Sequence, residues 1–452
     1  WLCILRFAAP LPVHVVVGEL ARQSVWPDRV GQRGIVIHEF GENERRDVPA
    51  DVVVADWQTT WGEGEPPVTG RHPYAVTRDN RPMGVGPYDE RVLNPTGFLT
   101  KAESPEVPLS EALASKVGME SLVRTMRPHR AVRVDADGLP EDVVAGVAGA
   151  LAMAGVPLVA ETLPASVVAL LGPAVAEAIT TPVDLADDLA REEHSIVLRR
   201  AAFDHLSTVA WRRRLGEITG VRVHHQAAVS VVMATRRPDM LAHALGQIGR
   251  QRGVESLELI LAPHGFEADA GEVADLLGGL PFQIVPAASE ALFGEVLNAA
   301  ADAAGGDVVL KMDDDDFYSP DFVGDLLRAR DYSGAELVGT PDDWYYLEER
   351  DLTLRLDQPN EVYRQFVAGG TMLVERQMLR EVGGFRSVRR HVDAQLIGAI
   401  RDAGGTTYRT HGLGYCLRRV ATGHTWETDL DALIERASRT WPGLRLSRLM
   451  ES

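Results

Sequence analysis

Four consecutive aspartates, Asp313–Asp316, are the part of this sequence with the clearest chemistry. They follow the apolar run DVVLKM and precede SPDFVGDLLRA, where Ser319 can cap a predicted helix and Pro320 occupies its first turn. The apolar face predicted for that helix consists of Phe322, Val323, Leu326 and Leu327. The acidic run is therefore expected to be fixed between a buried strand and a helix.

Adjacent carboxylates of this kind can hold a metal ion and a phosphate. In an extended backbone, Asp313 and Asp315 lie on one side and Asp314 and Asp316 on the other. Two carboxylates can share Mn²⁺ or Mg²⁺ and leave positions for phosphate oxygens and water. Without a counter-ion, four neighbouring negative charges would repel each other. The run therefore predicts a metal site, with a solvated acidic turn as the alternative.

Apolar runs place the aspartates at one edge of a predicted sheet. The runs VSVVMAT, LELILA, FQIVP and DVVLKM predict buried strands separated by helical patterns. The first of these ends at Thr235, before Arg236 and Arg237. Open α/β sheets bind their ligands at the carboxyl ends of the strands, so the acidic run lies where a ligand is expected.

The order of these segments, over about residues 226–428, resembles family 2 glycosyltransferases of the GT-A type. MDDDDFYSP is similar to the acidic motif of that family, and LFGEVLNAAADAAGG is similar to the stretch before it. AGGTMLVERQMLREVGGF is similar to the "GG…R…GGF" stretch beside the acceptor site. The resemblance implies an α/β fold, a mixed and mainly parallel sheet flanked by helices, and inversion at the anomeric carbon.

The resemblance also implies roles for individual residues. The residues implied to contact the donor nucleotide are Thr235, Arg236, Asn298, Lys311, Asp313 and Asp314. The implied ligands of Mn²⁺ or Mg²⁺ are Asp313, Asp315 and His424. Gly369 and Gly370 would lie beside the acceptor. The family has an Asp at the end of the second strand that contacts the base or ribose; this chain has His264 near that place, so the nucleotide stays open.

Asp393 is the implied general base, in RRHVDAQLIGAIRDAGG. The family has a second acid just before this Asp, whereas Val392 stands there in this chain. At a helix start the dipole lowers the pKa of a carboxyl group and burial raises it. His391 is a second candidate for the base, and an ordinary carboxylate of a first helical turn is the structural alternative.

Trp344 is a candidate for an acceptor platform. It begins the aromatic run WYY, and aromatic faces pack on the apolar side of pyranose rings. Core packing is the alternative, which we favour for the run as a whole, with Trp344 as the exception.

The residues before 226 predict two further segments. Residues 1–105 contain the β-rich runs VHVVVGEL, GIVIHEF and DVVVADW, then a Pro- and Gly-rich stretch from about 62 to 97 that predicts long loops. Residues 106–225 alternate strand and helix patterns, which predicts a Rossmann-like α/β region. Residues 226–428 are the predicted transferase domain, and residues 429–452 a helical tail.

LAREEHSIVLRRAAFDHLSTVAWRRRLGEI predicts a long amphipathic helix or a helix pair. Residues 108–222 resemble the end of the C-terminal half of GT-B glycosyltransferases. The resemblance rests on a Rossmann-like pattern followed by helices, and on Glu193, His194 and Arg199. The alternative is a helical surface rich in charge, and we predict no catalytic residue in this region.

Composition limits the partners. Sixty-five acidic against 46 basic residues give a net charge of −19, which argues against nucleic-acid binding and docking on anionic lipid. Cys3 and Cys416 signal neither a zinc site nor a disulfide framework. We find no integral membrane segment and expect a cytoplasmic protein, with a peripheral position at the inner face of the membrane and homo-oligomers left open.

Together these features predict an inverting, metal-dependent glycosyltransferase. It would move a sugar from a nucleoside-diphosphate sugar to a hydroxyl of a carbohydrate or glycolipid acceptor, such as a glycan or a lipid-linked or cell-surface polysaccharide precursor. The alternative is a non-catalytic sugar-nucleotide-binding or scaffold protein on the same fold, favoured by Val392 and by the altered end of the second strand. A nucleotidyltransferase is disfavoured because the sequence has no Gly-rich phosphate loop.

Overall fold

The chain divides into two units, residues 1–225 and 226–452. The computed structural model describes residues 14–17, 36–39, 52–55, 74–77, 82–114, 117–135, 138–219, 226–420 and 429–451. Each unit is described by itself.

The first unit begins with a five-stranded mixed sheet in the order β2-β1-β3-β4-β5. Its strands are β1 His14–Val17, β2 Val36–Glu39, β3 Val52–Ala55, β4 Tyr74–Thr77 and β5 Pro82–Val85. The first three strands confirm the expectation from the apolar runs. The last two correct the prediction of loops over about 62–97, since YAVT and PMGV flank the short polar sequence RDNR as a hairpin requires.

Three short parallel strands and seven helices complete the described part of the first unit. The strands are β6 Val107–Pro108, β7 Val132–Arg133 and β8 Leu158–Val159, paired in that order. The helices are α1 Leu109–Leu113, α2 Met119–Met126, α3 Glu141–Met153, α4 Ala165–Leu171, α5 Pro173–Thr180, α6 Asp188–Leu206 and α7 Thr208–Thr219. Helices α6 and α7 confirm the predicted helix pair.

The EEH segment of α6 is buried, so the alternative of a charged helical surface is wrong. Glu193, His194 and Arg199 are each at most 7% exposed. The ring Nε2 of His194 lies 2.7 Å from the carbonyl oxygen of Leu158. The Arg191 guanidinium donates to the carbonyl oxygens of Leu99, His129 and Arg130. Buried polar groups require such partners. The GT-B resemblance of this region stays a prediction.

The second unit is built on an eight-stranded sheet in the order β11-β10-β9-β12-β18-β14-β19-β17. Its strands are β9 Val229–Thr235, β10 Leu257–Pro263, β11 Phe282–Ile284, β12 Val308–Lys311, β14 Leu337–Gly339, β17 Val362–Tyr363, β18 Leu373–Glu375 and β19 Thr407–Arg409. Strands β9 to β12 are parallel, as the apolar runs predicted, and β18 is antiparallel to both β12 and β14.

A second sheet lies in the same unit, in the order β13-β20-β15-β16-β21. Its strands are β13 Phe317–Tyr318, β15 Trp344–Leu347, β16 Leu352–Arg355, β20 Tyr415–Arg419 and β21 Arg439–Pro442. The predicted helical tail is therefore only partly helical, because β21 pairs antiparallel with β16.

Eight α-helices are described in the second unit. They are α8 Leu241–Gly249, α9 Ala270–Leu277, α10 Phe293–Ala303, α11 Phe322–Ser333, α12 Arg376–Glu381, α13 Val392–Asp402, α14 Leu430–Glu435 and α15 Arg448–Glu451. Short 3₁₀ turns cover Pro238–Met240, Glu348–Arg350 and Gly369–Thr371. The predicted face of α11 is buried, but the helix starts at Phe322 with Asp321 as its N-cap, so Ser319 is not the cap.

The main core of the second unit lies between the large sheet and helices α10 and α13. Val232, Ile260 and Val309 of the sheet pack with Leu297 of α10 and Leu396 of α13 in one buried cluster. This packing fixes the start of α13 and the carboxyl ends of β9 and β12. None of the helices in the described ranges combines the length and the apolar run that crossing a bilayer requires.

Candidate active site

The candidate active site lies where β9 and β12 end. Thr235 closes β9, and Lys311 closes β12 directly before the acidic run. The 3₁₀ turn Gly369–Thr371 and the first turn of α13 contribute the remaining groups. The parallel pairing of β9 with β12 brings these ends to the same edge of the sheet.

Asp314 and Asp315 share one cationic partner, Arg237. The Arg237 Nη1 donates to Oδ2 of Asp315 at 2.8 Å, and its Nε donates to Oδ2 of Asp314 at 3.1 Å. The hydroxyl of Thr235 also donates to Asp314. Burial raises the pKa of Asp314, although these hydrogen bonds oppose the shift. The two carboxylates therefore do not lie on opposite sides of an extended strand, because the backbone bends after Met312.

Asp316 is a structural residue rather than part of the open site. Its side chain accepts a hydrogen bond from the Tyr415 hydroxyl at 2.6 Å and another from the backbone N–H of Arg418 at 3.0 Å. Only 4% of the residue is exposed. Burial raises its pKa well above the ordinary value, and the charges of Asp315 and Asp313 add to that rise.

Lys311 connects Asp313 to Asp393. Its Nζ donates to Oδ1 of Asp313 at 2.7 Å and to the carbonyl oxygen of Gly369 at 3.0 Å. The same nitrogen lies 3.4 Å from Oδ1 of Asp393. Burial would lower the pKa of Lys311, but the two carboxylates raise it above its ordinary value, so the ammonium form persists.

Asp393 lies in the first turn of α13, with 30% of its side chain exposed. Desolvation raises the pKa of Asp393, Lys311 opposes the rise and the charge of Asp313 adds to it. The net effect is a raised pKa. His391 is exposed and has a left-handed backbone with φ of 62° at the N-cap of the same helix.

Gly369 and Gly370 let the backbone approach the carboxylates closely. A Cβ on Gly369 would overlap Oδ2 of Asp393. A Cβ on Gly370 would lie 2.9 Å from Oδ2 of Asp313 and 2.9 Å from the hydroxyl oxygen of Tyr318. That hydroxyl donates to the carbonyl oxygen of Gly370 and accepts from the backbone N–H of Asp313, both at 2.9 Å. The turn therefore needs residues without a side chain.

Comparison with known proteins identifies the domain that holds this site. Residues 231–397 match the family model described as Glycosyl transferase family 2. The second unit carries a family 2 glycosyltransferase domain. This confirms the resemblance drawn from the acidic run and the "GG…GGF" stretch, and the GT-A type of α/β fold. No curated protein matches the chain.

Three solved structures resemble part of the chain at low sequence identity. The mannosyltransferase PcManGT from Pyrobaculum calidifontis, in complex with GDP-Man and Mn²⁺, is 15% identical with a TM-score of 0.35, over 44% of this chain and 59% of that chain. S. aureus TarS is 12% identical with a TM-score of 0.35, over 42% of this chain and 37% of that chain. TarS 1–349 in complex with UDP-GlcNAc is 12% identical with a TM-score of 0.36, over 46% and 64%. The chain thus spans less than two thirds of each of these proteins.

Two predicted nucleotide contacts of the glycosyltransferase domain have other partners in the structure. The Arg236 guanidinium lies 3.0 Å from Nδ1 and 2.7 Å from Nε2 of His264, and it donates to the carbonyl oxygen of Ser289. The amide of Asn298 donates to the carbonyl oxygen of Phe385 and accepts from its N–H, both at 2.7 Å. Asn298 therefore holds the GGF stretch that leads to α13.

Trp344 is not the predicted acceptor platform of the glycosyltransferase domain. It is 1% exposed, stacks on Trp441 with ring centroids 4.9 Å apart, and donates from Nε1 to the carbonyl oxygen of Arg445. Its strand β15 is covered by the C-terminal residues, which the sequence pattern did not assign to a sheet. Core packing, the alternative, is confirmed for Trp344 and Tyr345.

Two of the three predicted metal ligands lie within the described residues. Asp313 and Asp315 lie in the acidic run of the glycosyltransferase domain, whereas His424 lies outside the described residues. Within the described ranges, no three His, Cys, Asp or Glu side chains form a group that could hold a metal ion.

The sequence reasoning missed three residues of the glycosyltransferase site. Arg237 is predicted only to follow the first strand, whereas in the structure it pairs with two of the aspartates. Tyr318 and Tyr415 were not singled out, although their hydroxyls fix the two ends of the acidic run. The signal for Tyr318 was its position two residues after the aspartates; Tyr415 had none.

Proposed function

We propose that the chain is an inverting, metal-dependent glycosyltransferase that moves a sugar from a nucleoside-diphosphate sugar to an acceptor hydroxyl. The acceptor class is a glycan or a lipid-linked or polysaccharide precursor. The observation that carries the proposal is the contact of one buried ammonium group, on Lys311, with both Asp313 and Asp393. Asp313, which we assign to the donor diphosphate, and Asp393, which we assign to proton removal, therefore belong to one site.

Asp313 and Asp315 are the residues that would hold Mn²⁺ or Mg²⁺. The side chain of Asp313 is 36% exposed. That of Asp315 is 11% exposed and forms a salt bridge with Arg237, whose side chain is 35% exposed. Hard cations prefer carboxylate oxygens, and Mg²⁺ commonly takes one or two carboxylates and completes its shell with waters and substrate phosphates. The carboxylates of Asp313 and Asp315 therefore fit a Mn²⁺ or Mg²⁺ ion without a third carboxylate ligand. The ion, when bound, supplies positive charge for the leaving diphosphate.

Asp393 is the proposed general base. Its Oδ1 faces the Lys311 ammonium, so Oδ2, on the Gly369 side, is the oxygen that would take the proton of the acceptor hydroxyl. The hydroxyl oxygen then attacks the anomeric carbon as the bond to the diphosphate breaks. A positioned base of this kind contributes about 10²- to 10⁴-fold to the rate.

Release of nucleoside diphosphate tests the proposal. UDP-, GDP- and dTDP-sugars are incubated with Mn²⁺ and a panel of acceptors, with and without a chelator. We expect one donor to be consumed, the chelator to stop its consumption, and Asp315→Asn to abolish it.

Asp393→Asn should still bind that donor and turn it over about 10²-fold more slowly or worse. Inversion is checked by the anomeric configuration of the product. Tight donor binding by the wild-type protein without turnover of any donor would instead support the non-catalytic sugar-nucleotide binder.

A further inference from the structure

The Lys311 ammonium is enclosed by protein oxygens, with two hydrogen bonds and one ion pair. A lysine ammonium carries three donor hydrogens. Its three oxygen neighbours are Oδ1 of Asp313, the carbonyl oxygen of Gly369 and Oδ1 of Asp393. Only 2% of Lys311 is exposed. A donor nucleotide contact for Lys311, which the family resemblance implies, would therefore have to be made by a side chain that two carboxylates already hold.

The backbone of Lys311 belongs to a central strand of the large sheet. It pairs with Val232 of β9, and its N–H donates to the carbonyl oxygen of Met372 at 3.0 Å. Asp393, in contrast, follows residues 386–391, most of which are exposed. Core packing of Val392 and Leu396 fixes the backbone of α13, and Lys311 reaches the Asp393 side chain from a central strand.

We propose that Lys311 is a positioning residue: its ion pair with Oδ1 holds the Asp393 carboxylate so that Oδ2 stays beside the Gly369–Gly370 turn. This rests on the function proposed above and gives Lys311 a role in the acceptor half of the reaction. Lys311 itself touches neither substrate.

Charge explains why a lysine is needed here. Without the ammonium, Asp313 and Asp393 are two half-buried carboxylates on either side of an apolar gap. An unpaired buried charge is costly, and like charges repel. In Lys311→Met we therefore expect the Asp393 side chain to turn out of its position toward solvent, while the strand that carries residue 311 stays in place.

A double-mutant cycle tests the proposal. Lys311→Met, Asp393→Asn and the double variant are compared for kcat, donor KM and directly measured donor affinity. We expect Lys311→Met to lower kcat by about 10²-fold. In the Asp393→Asn background the same change should cost less than about threefold, because coupled residues are not additive. Donor affinity should change by less than about threefold in each variant.

Arg355→Met is the matched control. Arg355 is also buried between two carboxylates, with its Nε 3.0 Å from Asp343 and 3.1 Å from Asp357. It measures the effect of removing a buried cation that does not touch Asp393. We expect its melting temperature to fall as that of Lys311→Met does, but its kcat to stay within about threefold of the wild type.

Three results with the variants above would overturn the role of Lys311. The first is a kcat of the double variant that falls by the product of the two single-variant losses. The second is a Lys311→Met variant whose donor affinity falls as much as its kcat. The third is a kcat of Arg355→Met that falls as much as that of Lys311→Met. If Lys311→Met does not fold, Lys311→Arg is used instead, because it keeps the positive charge. Its kcat should be higher than that of Asp393→Asn. Equal kcat values in these two variants would also overturn the role. Wild-type kcat in Asp393→Asn would instead refute the base assignment itself.

Discussion

Two adjacent arginines in this chain have entirely different surroundings. Arg237 donates to Asp314 and Asp315 in the acidic run, whereas Arg236 donates to His264 and Ser289 beside β10. Burial would lower the pKa of Arg237, but its hydrogen bonds to the aspartates raise it above the ordinary value. Neither pairing follows from residue type, because the sequence gives only the order RRP after the strand.

Replacing these arginines singly should separate their contributions to donor binding. Arg237→Gln removes the guanidinium that balances the negative charges of Asp314 and Asp315. These charges would then repel the donor diphosphate. We expect the dissociation constant for the donor, measured by calorimetry in the presence of Mn²⁺, to rise by about tenfold or more. Arg236→Gln is the neighbouring control, expected to stay within about threefold of the wild type. Equal affinities in the two variants would contradict this assignment.

The titration of Asp393 should set the low-pH limit of activity. Desolvation raises the pKa of this carboxyl group, so more of it is protonated at a given pH than in an exposed aspartate. A base acts in its ionised form, so kcat/KM should be low below that pKa and rise as the pH increases through it. We expect the acidic limb above about pH 4, the usual aspartate value. A limb at or below that value, measured in a buffer series, would contradict the raised pKa.

At the scale of elements, apolar runs predicted the strands and tertiary contacts decided the rest. VSVVMAT, LELILA and DVVLKM became β9, β10 and β12 because each is long enough and apolar enough to be buried on both faces. WYYL and LTLR are short and mixed, and their sheet depends on β21, nearly a hundred residues further along the chain. The burial of Trp344 therefore cannot be predicted from the residues next to it in the sequence.

The link between α10 and the GGF stretch is an element-scale feature that a single substitution can test. Asn298→Ala removes the partner of both the N–H and the carbonyl oxygen of Phe385. Leaving such groups unsatisfied costs about 1–3 kcal/mol, or a fall in melting temperature of about 2–4 °C per kcal/mol. Gln283→Ala, which loses one exposed hydrogen bond, is the control and should stay within about 0.5 kcal/mol. Equal melting temperatures would argue against the role of Asn298.

For the whole molecule, the proposed metal ligands and the proposed base are described in only one of the two units. Asp313, Arg237, Lys311 and Asp393 all belong to residues 226–452. The family resemblance implied Asp313 and Asp393 in advance, because the motifs that carry it lie in the sequence. It did not imply that Lys311 joins them, since that contact depends on how β12, the Gly369 turn and α13 meet.

A shortened protein can test whether the second unit is sufficient for donor binding. A chain of residues 226–452 contains both sheets of that unit and all described candidate site residues. We expect it to fold cooperatively and to bind the donor within about threefold of the affinity of the full chain. Circular dichroism and calorimetry provide the measurements. A folded fragment without donor affinity would show that residues 1–225 contribute to the donor site.

Strand β21 has a consequence for anyone who trims this protein for crystallisation. It is the outermost member of the second sheet and covers β16 along Thr353–Arg355. A chain cut before Arg439 would leave the N–H and C=O groups of β16 open, and an open sheet margin recruits strands from other molecules. Such a truncated protein should self-associate with rising concentration, so design of shorter versions is best begun from the other end of the chain.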